Sequence, residues 1–130
     1  MGAPHTDAVA EHLAAAHAAL EKVHLAHPED TVRHLSVARA CMDAALNEAM
    51  AQATLAGSSI RAVAEMAGVV PNTLGPRLAR TATLGGYGET DGRITATGVA
   101  RARYDHQEGR YQPSAPAEPL RFRRRESRGK

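Results

Sequence analysis

Arginine carries most of the chemistry this chain can offer. Of the 16 bases among its 130 residues, only Lys22 and Lys130 are lysine, and the planar guanidinium forks of the others suit phosphate oxygens and guanine edges. Their placement is uneven. Residues 1–57 hold seven acids against three bases, whereas residues 58–130 hold thirteen bases against seven acids. A balance that changes sign along the chain points to a nucleic-acid face on the basic side, although an Ala- and Arg-rich composition is also what a GC-rich genome gives. Within the basic half, Ser58, Ser59, Arg61, Asn72, Thr73, Arg77, Arg80 and Arg93 offer hydroxyl, amide and guanidinium donors over one short stretch.

Other chemistry is poorly represented. The chain has no paired carboxylates or nucleophile elbow, and Gly85-Gly86-Tyr87-Gly88 lacks the lysine and following helix of a phosphate-cradling loop, so no enzyme is expected. Six of the seven histidines, His5, His12, His17, His24, His27 and His34, fall in the acidic half. His5 and His12 flank one side of the first apolar stripe and His17 and His24 the other, where metal binding or charging on acidification is conceivable, but no tight H-E-x-x-H spacing occurs, and solvated flanks with no metal are expected. Cys41 is the single cysteine, which excludes an internal disulfide and suits an intracellular, cytoplasmic protein. It is read as a small apolar side chain. No secretory leader, membrane span or cofactor is expected.

The elements that must position the basic stretch are helices. With no Trp, one Phe and three Tyr, the core is built over alanine, and a second copy of the chain would supply missing apolar area. Thr6 or Asp7 starts a helix to about Ala26, with Val9, Leu13, Ala16, Leu20 and Val23 on one stripe. Asp30 or Thr31 starts a second, to about Leu55, with Val32, Leu35, Ala38, Met42, Leu46, Ala49 and Ala53 on one face. So short a connection predicts an antiparallel hairpin, residues 1–57, serving as scaffold or dimer interface. From Ser58 to Arg80 the pattern is helix, turn, helix: a serine cap at Ser58 or Ser59, apolar Ile60, Val63, Ala64 and Ala67, a turn at Gly68, and Pro71 opening the next helix.

Val63-Ala64-Glu65-Met66-Ala67-Gly68-Val69, followed by Asn72-Thr73-Leu74, resembles the helix-turn-helix of bacterial repressors, including the lac repressor family. The resemblance implies that the second helix enters the major groove. At helical spacing Val70, Leu74, Leu78 and Thr81 then face inward, while Asn72, Thr73, Pro76, Arg80 and Thr83 form the DNA face. Arg77 stands at the boundary, where the family carries an apolar residue, and Ser58, Ser59 and Arg61 would hold phosphates. Gly75-Pro76 departs from the pattern: either the helix kinks there or it begins at Pro76 after a longer turn.

Downstream, Asp91-Gly92 predicts a β-hairpin turn. Ile94-Thr95-Ala96-Thr97-Gly98, leading into Val99-Ala100-Arg101, resembles the L-T-x-x-G run that ends the wing of MarR-type winged-helix regulators, with Ile94 for leucine and Thr95 or Thr97 as helix cap. This resemblance implies a wing whose basic residue, Arg93, or more weakly Tyr87, touches the minor groove. Residues 107–130 read as a disordered basic tail in which Arg121, Arg123, Arg124 and Arg125 add salt-sensitive DNA affinity.

The fold expected is thus mainly α: a winged helix-turn-helix over residues 58–106, with an N-terminal helical hairpin and a small β-hairpin wing. The function expected is sequence-specific binding of double-stranded DNA by a homodimeric transcriptional repressor or regulator. The alternatives are a phage or plasmid DNA-packaging or partition component similar to a small terminase subunit, and an antitoxin or adaptor working through the hairpin.

Overall fold

The computed structural model describes residues 4–114, so the tail arginines Arg121, Arg123, Arg124 and Arg125 lie outside the described residues. Five α-helices follow in order: α1 Pro4–Glu21, α2 Pro28–Leu55, α3 Ile60–Ala67, α4 Leu74–Ala79 and α5 Ala96–Gln107. Short 3₁₀ turns at Pro71–Thr73 and Gly85–Tyr87 complete the regular structure. Pro28 opens α2, where its missing N–H costs nothing, and Glu29 and Asp30 sit in the first turn, favoured by the helix dipole. The intervening turn is closed by the Thr31 hydroxyl, which donates to the His24 carbonyl at 2.8 Å. The first helix ends at Glu21, five residues short of Ala26.

The α1–α2 hairpin is held by small side chains. Ala8, His12, Ala16 and Ala19 are buried along α1, and Ala38, Cys41 and Ala45 are buried along α2. Of the stripes expected to face inward, Ala16 and Ala38 do so in the hairpin, and Ala53 packs on the main core. Leu13 and Leu20 remain 43% exposed, Leu35 46%, Met42 55% and Leu46 38%. Alanine faces let two helices approach most closely, so the contact follows the alanines and the bulky residues stand aside.

The main core lies beyond the hairpin. Met50, Ala51 and Leu55 of α2 meet Val63 and Ala64 of α3, Leu74 and Leu78 of α4, and Val99 and Ala102 of α5. Arg103 of α5 ties this region together, donating through Nε and Nη2 to the Thr54 carbonyl at 3.0 and 2.8 Å and through Nη2 to the Ser58 carbonyl at 3.0 Å. A cation there satisfies the carbonyl end of α2. The chain leaves the core later than its composition suggests: Tyr111 donates its hydroxyl to the Thr83 carbonyl at 2.7 Å, and the Ser114 N–H bonds the Ala82 carbonyl at 2.8 Å.

No strand forms among the described residues, which overturns the expected β-hairpin wing and with it the winged assignment; the mainly α class stands. Asp91-Gly92 does turn the chain, with Gly92 N–H bonding the Glu89 carbonyl at 3.0 Å and Glu89 N–H the Arg93 carbonyl at 2.8 Å. The flanks are committed elsewhere. Ile94 gives its N–H to the Gly75 carbonyl at 2.9 Å, and Gly85–Tyr87 coils into its 3₁₀ turn, so no second extended run exists to pair. Three glycines in four residues also supply little of the side-chain packing a strand needs.

Candidate nucleic-acid interface

The helix-turn-helix reading of Ser58 to Arg80 is matched locally by α3, a turn and α4. Ser59, not Ser58, caps α3, accepting the Ala62 N–H at 3.1 Å. Val63 and Ala64 are buried, with Ile60 and Ala67 packed against the core as expected. Gly68 ends the helix at φ 70°, a left-handed conformation that costs a glycine little. The second element starts as the 3₁₀ turn Pro71–Thr73, in which the Thr73 hydroxyl donates to the Val70 carbonyl at 2.7 Å, and continues as α4.

Neither of the two expected arrangements around Pro76 occurs. Thr73 caps α4, so Pro76 is the third helical residue, within the first turn, where backbone N–H groups lack α-helical partners in any case. The proline is accommodated because the preceding turn is 3₁₀.

Leu74 and Leu78 are fully buried, and Asn72, Thr73, Pro76 and Arg80 are exposed, as the spacing predicts. Two neighbours differ from expectation. Val70 is 62% exposed because it precedes the helix instead of lying on it, and Thr83 is buried, held by Glu48. Arg61 is exposed on α3, and Ser58 is partly buried.

Arg77 turns toward α2. Its Nη1 lies 3.1 Å from Asp43 Oδ1 and 3.2 Å from Asn47 Oδ1, an arrangement that clamps α4 to the scaffold helix. Tyr87, the weaker candidate for a groove contact, is buried instead and donates its hydroxyl to Asp105 at 2.9 Å. Burial, then the Asp105 bond, pushes the Tyr87 phenol above its ordinary range.

Arg93 is exposed and is brought against the second helix. A Cβ at Gly75 would stand 3.6 Å from both Cβ and Nε of Arg93 and 3.1 Å from the Ile94 carbonyl oxygen. The glycine inside α4 is therefore a docking place for the 89–94 turn. Arg80 stands at the opposite, C-terminal end of α4.

One positioning residue escaped the sequence reading. Glu48, 2% exposed on α2, accepts the Ala82 N–H at 2.6 Å, the Thr83 N–H at 3.4 Å and the Thr83 hydroxyl at 3.1 Å. It fixes the chain as it leaves α4. Its signal was faint: an acid spaced seven residues before Leu55 and three after Ala45, on the buried side of α2.

The chain matches no protein-family model, no curated protein and no solved structure. The site must therefore be read from its own chemistry. What it presents is a short helical element with exposed amide, hydroxyl and guanidinium groups and an added arginine docked on Gly75, with Arg77 bonded to Asp43 of α2 and the Ala82 N–H just beyond α4 bonded to Glu48 of α2. Among the described residues no cluster of three potential metal ligands occurs.

Proposed function

We propose that the protein binds double-stranded DNA with sequence preference through the Pro71–Arg80 element, and regulates transcription inside the cell by occupying an operator as a homodimer. The observation that supports this most directly is the docking of Arg93 on Gly75, which brings a guanidinium to the second helix, whose leading end exposes Asn72 and Thr73. Such an end is what enters a major groove in helix-turn-helix proteins, with its first side chains at base edges. Asn72 and Arg80 are the base-reading residues in this proposal. Arg93, Arg61, Ser59 and Ser58 hold phosphates beside the groove, and Arg77 acts indirectly by anchoring α4. The basic balance of residues 58–130 adds an attraction that falls with salt.

The test is selection of bound sequences by the full chain from a random duplex pool. Enrichment of a palindrome with half-sites about one helical turn apart supports the reading. Recovery of no motif, with binding lost equally from all sequences as salt rises, overturns sequence-selective regulation.

A further inference from the structure

The bulky residues left outside the α1–α2 contact fall on one side of the hairpin. At about 100° per residue, Leu13 and Leu20 stand about a quarter turn from the buried Ala8–His12–Ala16–Ala19 line, and Leu35, Met42 and Leu46 stand about a quarter turn from the Ala38–Cys41–Ala45 line. Antiparallel helices wind in opposite senses when viewed from one end, so equal displacements on the two helices bring both groups to the same face. On α2 exposed Arg39 borders the row, about 20° from Leu46, and farther along Ala53 packs on the chain's own core.

We propose that a second copy of this chain covers this face, with α2 packing antiparallel on α2 of the partner about a two-fold axis, to give a four-helix arrangement. A two-fold axis near the middle of α2 seats Met42 of each copy beside Leu46 of the other, with Leu35 and exposed Arg39 toward the ends of the seam. The extent is also suitable: α1 has 18 residues, about 27 Å, and two such helices side by side present a face on the order of 500 Å². With its flanks that approaches the roughly 800 Å² per partner of a specific dimer.

Other occupants fit less well. Residues 115–130 offer only Leu120 and Phe122 as large apolar groups among six bases, too few to cover five bulky side chains. An anionic membrane surface attracts amphipathic helices with basic polar faces, whereas residues 1–57 carry seven acids against three bases.

This inference gives the dimer of the functional reading its surface and rests on that reading only for the two-fold pairing. Its test contains no DNA, so the two can fail separately. Sedimentation equilibrium of the full chain at micromolar concentration should give twice the mass of the chain. Met42→Lys and Leu46→Glu should each sediment at half that mass with unchanged helical circular dichroism, and an equimolar mixture of the two should recover the doubled mass. A monomeric or higher-order wild-type chain, or variants that remain dimeric, overturns the proposal; so does a mixture of folded variants that fails to pair.

Discussion

Gly75 and Arg93 are in van der Waals register: the absent Cβ of the glycine would lie 3.6 Å from Arg93 Cβ and Nε, and 3.1 Å from the Ile94 carbonyl oxygen that the same loop presents. Gly75→Val should push the 89–94 turn away from α4, and with it the buried core residue Ile94. Duplex affinity of the folded fraction should then fall roughly as far as in Arg93→Ala, and the melting temperature should fall as Ile94 is displaced. A large melting loss with unchanged affinity of the folded fraction would contradict this.

Arg80 and Arg77 should behave oppositely although they are three residues apart. Arg80→Ala should weaken DNA binding by about 1–3 kcal/mol if it reads a base, or lower the salt slope by about one unit if it meets a phosphate. Arg77→Ala should leave the salt slope as it is and lower stability by less than about 1 kcal/mol, because the Asp43 partner is 47% exposed and the pair is screened. Salt titrations of binding beside urea melts separate the two.

Glu48 is the most consequential polar group in the interior. Glu48→Ala strips partners from the Ala82 and Thr83 N–H groups and the Thr83 hydroxyl, all buried, for an expected loss on the order of 3 kcal/mol. Glu48→Gln keeps one acceptor and should lose clearly less. Equal destabilisation of the two variants in urea would show that the hydrogen bonds are not the cause.

Stability should fall in alkali. Burial pushes the Tyr111 phenol from its ordinary 10.0 up to about 12, and Tyr87 is displaced in the same direction. The unfolded chain therefore releases these protons first, so the stabilisation is complete below pH 10 and is lost as pH rises from there toward 12. Melting temperatures across that window should drop more steeply for the wild type than for Tyr111→Phe. Parallel slopes would remove the assignment.

Much of the helical plan was legible locally. An α3 cap at Ser58 or Ser59, the left-handed Gly68, the end of α2 at about Leu55 and an α5 cap at Thr95 or Thr97 each depend on bonds within a few residues, and the fold then took Ser59 and Thr95. The alternation of Leu74 and Leu78 with exposed Asn72, Thr73 and Arg80 was legible for the same reason.

What the residues could not decide alone were choices between competing partners. The Asp91-Gly92 turn formed and closed with the Glu89 N–H on the Arg93 carbonyl, yet beyond it Ile94 bonded Gly75 and Gly85–Tyr87 coiled into a 3₁₀ turn, so a locally sound hairpin signal produced no sheet. Apolar periodicity placed two stripes on the hairpin, but alanines elsewhere on the same helices allowed closer approach and took the contact. Arg77 and Glu48 found Asp43, Ala82 and Thr83 some thirty-five residues away. Periodicity and capping are properties of a single segment, whereas pairing, close approach and burial of charge depend on what another segment brings within a few ångströms, and only the folded chain brings it there.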